Sequence, residues 1–473
     1  MKKKEKKQLI NFFRYTAFIV FVSAGLTSCP DKLLSTLEDE LNASYIQSTV
    51  TFKTNNFSAG EIVFPETEEL QATFGSSFNI SASEPKLRGY YFSGWTYSGS
   101  GRAVFQNSES LNTSVSVYDG NVEIQANYSP ITASLEYLGQ YDLFLFDHYN
   151  DRIADPRDLV FLNGYIYVVG QSDQGNPRLI KIDVSESEFP CFTDSVDLIS
   201  GSSSEAVQII TYGTSTLNIA EKNGNILKIT NTNTLKDSIA FIMSVNEYSI
   251  TSDSMGYFWW LENNNNLVRC NNSNLAAPDN ILKNICYSDI SDCLFVSGCS
   301  SDNHGSLSSI IKISPTSIAT QKTLDIIADY GENLLPTKMT YKNGTEYLYS
   351  IAENKALITF DIENAPADFS VNTTADINAD TTGSTMKDID YSGNYLITAG
   401  TNTSSQSYNG WDRFCIYDIH ENNGSAADPY YLNNAPSRGS GNNDVIAIDF
   451  NGEYLYTLEG TALKIYKFTA SAE

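Results

Sequence analysis

The 473-residue chain predicts an all-β fold, most of it a seven-bladed β-propeller, behind an N-terminal signal segment and a separate small domain. Three observations carry this. A hairpin pattern keeps returning beyond residue 154, with two alternating apolar runs flanking an Asn-Gly or Ser-Gly turn. No amphipathic helical stretch separates the copies, which argues against a parallel α/β sheet. The copies recur at roughly 35–60 residues, the period range of propeller blades. A solenoid shares that period and is the structural alternative.

The clearest copies are 155–170 (DPRDLVFLNGYIYVVG), 335–351, 384–400 and 444–460. A third strand follows each, at 178–183, 356–362, 413–419 and 462–468. Weaker copies at 207–230, 248–270 and 285–314 bring the units to seven. One such unit cannot bury both faces of its sheet, whereas seven arranged radially can, with short protected edges. The seventh unit has three strands, and the apolar stretch 131–147 has no hairpin partner. Residues 132–140 are therefore expected to complete the seventh blade, so that 130–473 closes on itself and its ends do not fray.

Residues 1–28 are read as outside the fold. Lys2, Lys3, Lys4, Lys6, Lys7 and Arg14 form a basic region, and 15–26 is an apolar run too short to span a bilayer comfortably. It ends in Leu26-Thr27-Ser28-Cys29. This resembles the lipobox of bacterial lipoproteins, which implies a diacylglyceryl group on Cys29, cleavage before it and acylation of the new N-terminus. Several acyl chains hold a protein stably where one does not. The expected location is the cell envelope, lipid-anchored on the extracytoplasmic side, periplasmic or at the surface.

Removing 1–28 takes away six basic residues and Glu5, moving the formal charge from −26 to −31. Such an acidic surface excludes nucleic acid as a partner and disfavours docking on anionic lipid. No EF-hand-like string is present to turn the acidity into a cation site.

Residues 29–47 read as a tether. The next domain, 48–129, opens with STVTFKTN at 48–55 and closes with TSVSVYDGNVEIQANYS at 113–129. Between them stand Pro85, Gly89, Tyr90, Phe92, Gly94 and Trp95, followed later by Ala126 and Tyr128. The string resembles the internalin-type B repeat, or Listeria–Bacteroides repeat. The resemblance covers one repeat and implies a β-grasp-like spacer or adhesion module. Residues 56–70 depart from it as an insertion. Independently of that likeness, the large aromatics suit the core of a domain too small for a long aliphatic one, and Trp95 is expected there. Units 248–270 and 444–468 are similar to the repeats of quinoprotein-like and regulator-type propellers, which implies no activity. Thr251–Trp259 approaches the sialidase Asp-box, but Met255 stands in place of its Gly.

Chemistry-bearing motifs are few. His148, His304 and His420 are the three histidines, without ligand-spaced partners, and no H-E-x-x-H, C-x-x-C, G-x-S-x-G or phosphate loop occurs. No catalytic residue, metal or cofactor is assigned. Cys286 and Cys293 flank a turn and could form a disulfide or remain free thiols. A propeller ligand would enter at the channel mouth. Counting back six from the turn glycine gives Asp158, Lys338 and Lys387, with Arg157, Asp388 and Asp444 nearby. These charges could orient a polar ligand or pair to cap the channel. Three functions follow: a membrane-anchored binding, scaffold or adhesion lipoprotein with a protein or glycan partner; a hydrolase or lyase acting on a sugar, lactone or phosphate; and a solute or metal sensor.

Overall fold

The computed structural model describes residues 47–144, 151–198 and 205–471, apart from single positions and loop segments of which the longest are 300–307, 326–335, 362–369, 377–383, 403–413, 420–429 and 433–444. The signal segment, Cys29 and the tether lie outside the described residues. Among the described residues every element is a strand, and no helix is long and apolar enough to cross a membrane. The chain divides into two compact units, one ending at Pro130 and the other running from Ile131 to Ser471.

The small unit holds β1 (Gln47–Thr54), β2 (Ile62–Phe64), β3 (Glu69–Thr73), β4 (Ser76–Ala82), β5 (Tyr90–Gly99), β6 (Arg102–Phe105), β7 (Asn112–Tyr118) and β8 (Val122–Pro130). One sheet has the order β3-β1-β8-β5, with β1 parallel to β8 at its centre. The second has the order β2-β4-β7-β6. Alternation along β7 and β8 sends Val115, Val117, Ile124 and Ala126 inward against Val50, Ile80 and Trp95. Trp95 is a core residue, 3% exposed. Its indole N–H donates to the Ser110 carbonyl at 2.9 Å, so the buried donor is satisfied. The insertion at 56–70 packs into the same core: a Cβ on Gly60 would lie 2.1 Å from the Tyr128 ring.

The larger unit is a β-propeller, and its described residues form seven four-stranded antiparallel sheets, here blades 1 to 7. Their first strands are Asp155–Leu162, Glu205–Tyr212, Glu247–Ser252, Ile281–Ser288, Pro336–Tyr341, Ser384–Ser392 and Val445–Phe450. Each neighbours the next, and the seventh neighbours the first, so they surround a common channel. The expected closing strand is β9 (Ala133–Asp142), which pairs antiparallel with Ala462–Ala470 as the fourth strand of blade 7. Apolar layers fill the spaces between blades. Tyr456, Leu458 and Ile465 of blade 7 meet Leu159 and Ile166 of blade 1, and Val169 and Leu179 meet Ile209 and Ile219 of blade 2. In blade 1 the hairpin turn is Asn163-Gly164 with φ of 53° and 82°, the left-handed pair a two-residue turn requires.

Candidate functional site

Every first strand begins with the same irregularity. Its register against the second strand slips between Pro156 and Asp158, Ala206 and Gln208, Glu247 and Ile250, Leu282 and Asn284, Pro336 and Lys338, Met386 and Asp388, and Val445 and Ala447. Such a bulge re-aims the side chain that follows it. Here it turns that side chain toward the next blade.

The consequence is a chain of bonds from blade to blade. Asp158 Oδ2 accepts the Ile209 N–H at 2.9 Å, and Gln208 Oε1 accepts the Ile250 N–H at 2.8 Å. Ser249 Oγ receives the Ile285 N–H at 3.4 Å and the Asn284 amide at 3.2 Å. Asn284 Oδ1 accepts the Met339 N–H at 3.0 Å, and Asp388 Oδ2 accepts the Ile448 N–H at 2.9 Å. Apart from the Asn284 side-chain amide, each donor is a backbone N–H that burial would otherwise leave unpaired.

Two positions break the series, because neither Lys338 nor Ala447 can accept a hydrogen bond. Each is followed by an aspartate that covers the gap. Asp388 Oδ1 accepts its own neighbour's Ile389 N–H, and Asp158 Oδ1 the Leu159 N–H, both at 3.0 Å. Each aspartate thus serves two donors, one on each oxygen. Lys338 lies 3.5 Å from Asp388 Oδ1, its side chain still 34% exposed. Asp388 beside it, and Asp158 more weakly, hold its ammonium above the ordinary lysine value.

A second tier lies two residues along. Asp390 accepts the Tyr391 N–H at 2.8 Å and the Phe450 N–H at 2.6 Å, and Asp449 accepts the Phe161 N–H at 3.1 Å. Burial, with Asp449 close by, holds the Asp390 carboxyl well above the usual carboxylate range. Burial likewise pushes Asp449 up to about 7 and Asp158 up to about 6, the latter against the pull of Lys338.

Of the residues expected at the channel mouth, the structure therefore brings together Asp158, Lys338 and Asp388. Arg157 and Lys387 stand one residue earlier, inside the slip, with exposed side chains. Arg157 pairs with Asp155. The equivalence of Lys387 with Lys338 is corrected to that of Asp388 with Lys338. In blade 1 the turn glycine, Gly164, is the second turn residue. In blade 6 Gly393 directly follows Ser392, the last paired residue, so counting back six lands one position early. A one-residue error reverses the face of a strand. Asp444 and the three histidines lie outside the described residues.

Gln208, Ser249, Asn284, Asp390 and Asp449 were not singled out from the sequence. A usable signal was present: each bulge residue is followed by an aliphatic one, Leu159, Ile209, Ile250, Ile285, Met339, Ile389 or Ile448.

Cys286 and Cys293 do not meet across their hairpin. The register sets Cys286 opposite Phe295 and Cys293 opposite Ser288, so the two are diagonal neighbours, at a spacing of about 7–8 Å that a disulfide does not bridge. Neither forms a disulfide. Burial pushes the Cys286 thiol up to about 12, which leaves it protonated and unreactive at neutral pH. Asp253, in the stretch near the Asp-box pattern, accepts the Met255 and Tyr257 N–H groups and the Trp259 indole N–H at 2.9 Å, tying the turn to a buried aromatic. Among the described residues no group of three or more His, Cys, Asp or Glu side chains could hold a metal ion.

No family model matches the chain, and no curated protein matches it in sequence. Among solved structures, it is similar to the β-propeller domain of Cps50 (Swd1) from Myceliophteria thermophila, at 11% identity and a TM-score of 0.50, over 71% of this chain and all of that domain. It is also similar to Raptor from Chaetomium thermophilum, at 9% identity and a TM-score of 0.53, over 72% of this chain and 30% of that protein. At such identities the likeness shows the fold, a β-propeller, and no shared activity.

Proposed function

We propose that the chain is a binding and scaffold protein whose β-propeller offers the recognition surface, held outside a membrane by acyl groups on Cys29. One observation carries this reading. The buried carboxylates and amides round the channel, where a catalytic set would stand in an enzyme, are committed to backbone donors of the neighbouring blade. Groups fixed in that way hold a frame together, and recognition falls to the exposed charges at the same end, Lys387 and Arg157, the latter shared with Asp155. Two cations against a strongly acidic chain favour an anionic feature on a protein or glycan partner and set the rate and selectivity of its approach.

The test compares the wild-type chain with Arg157→Glu/Lys387→Glu, in cross-linking to envelope proteins and in thermal melting. The expected result is a defined cross-linked partner for the wild type, lost in the variant, with unchanged melting. An unchanged cross-link overturns the assignment of this face, and turnover of a sugar, lactone or phosphate ester by the wild type overturns the binding reading itself. For the anchor, labelled palmitate should enter the wild-type chain and not Cys29→Ala. An unlabelled wild type overturns it.

A further inference from the structure

The outer face of the second sheet of the small unit carries a depression of about 550 Å³, within the range of ligand sites. Its floor is two cross-strand rows. Phe64, Ser81 and Asn112 lie side by side in one, and Asn79 and Ser114 in the other, extended by Gln106.

The hydrogen bonds within these rows are one-sided. The Ser81 hydroxyl donates to Asn112 Oδ1 at 2.5 Å and the Ser114 hydroxyl to Gln106 Oε1 at 2.9 Å. Both bonds use the amide oxygens and leave the two NH₂ groups available as donors. The Asn79 amide is held by none of these bonds and presents both a donor and an acceptor. Phe64, half exposed, forms an aromatic edge to the depression. No lining residue carries a charge.

Neutral amides that can both donate and accept suit a ligand made of hydroxyl groups, each of which also donates and accepts. A half-exposed ring supplies apolar area to the C–H faces such a ligand presents. With no charged group in the lining and a chain of net charge −26, nothing favours an anion there. We propose that this groove binds a neutral glycan, which makes the small unit a recognition module rather than only a spacer. The proposal is independent of any role for the propeller surface.

The full chain is measured by biolayer interferometry on immobilised neutral oligosaccharides built from glucose, galactose or mannose, with sialylated and sulfated ones beside them. Wild type should be retained on at least one neutral series and not on the charged ones. Asn79→Ala/Asn112→Ala should bind about tenfold more weakly, a loss of about 1.4 kcal/mol, with unchanged melting. Should the double variant melt lower, Gln106→Ala is the deciding comparison and should weaken binding on its own. Arg157→Glu/Lys387→Glu should bind the glycan as wild type does, which separates this result from the propeller experiment. Absence of neutral-glycan retention, equal retention of charged glycans, or binding undiminished by the groove variants overturns the proposal.

Discussion

Asp388→Ala is the sharpest probe of the blade-to-blade bonds. The substitution removes both oxygens, leaving the Ile389 and Ile448 N–H groups without partners in a buried site. Each orphaned donor costs about 1–3 kcal/mol, so the two together cost about 2–6 kcal/mol. Lys338 also loses the carboxylate 3.5 Å away, which moves the sum toward its upper end. At about 2 °C per kcal/mol for a unit of this size, the propeller transition should fall by about 4–12 °C in scanning calorimetry. Asp388→Asn keeps one acceptor oxygen and should lose roughly half as much. Lys387→Ala is the internal control. One residue away and exposed, it should change stability by no more than about 0.5 kcal/mol. If Lys387→Ala and Asp388→Ala melt alike, the bulge does not aim residue 388 at blade 7, and the account of the ring fails.

Other outcomes follow from the same geometry. Asp158, Asp390 and Asp449 hold their protons more tightly folded than unfolded, Asp158 up to about 6 and Asp449 up to about 7. Their contribution is complete below about pH 4 and is lost as pH rises through 6 to 7. The propeller transition should therefore fall between pH 5 and 8, and Asp449→Asn should flatten that slope; a transition that rises over this range contradicts it. Gly60→Ala should destabilise the small unit by about 1–3 kcal/mol, since the new methyl meets the buried Tyr128 ring, and chemical denaturation followed by Trp95 fluorescence reads it. A chain beginning at residue 150 lacks β9 and should melt well below one beginning at 131; equal melting would show that blade 7 does not need its fourth strand.

The repeat was legible because a strand's alternation and its turn chemistry are local. The pairs around Asn163-Gly164 and Ser392-Gly393 show both in a few residues. β9 was legible for the converse reason, an apolar strand with nothing beside it to pair with. The site was only half legible. Charge and distance from a glycine led to Asp158 and Lys338, but a turn glycine can occupy either turn position, and for blade 6 that put Lys387 at the counted position and Asp388 only beside it. Gln208, Ser249 and Asn284 escaped because neutral residues look like ordinary strand polarity until the bulge shows where they point. The groove beside Phe64 escaped because it arises where three strands lie edge to edge, and its residues come from four separate stretches of chain.

The strand that closes the ring is also the one through which the small unit joins it. Any tension on the protein from its N-terminal side reaches the propeller by way of 131–132 and loads β9 before any other strand. The first bonds to feel it are Thr132 N–H to Ser471 Oγ at 2.9 Å, Ser471 N–H to the Thr132 carbonyl at 2.9 Å, and the Ser134–Thr469 hydroxyl contact at 2.7 Å. Behind them, Leu135 and Tyr137 lie opposite Phe468 and Tyr466, and their apolar contact resists peeling for longer than the polar end does. Under a steady pull the molecule would yield first at its own seam, detaching one edge strand while the bonds between first strands still hold six blades and three strands of the seventh in place.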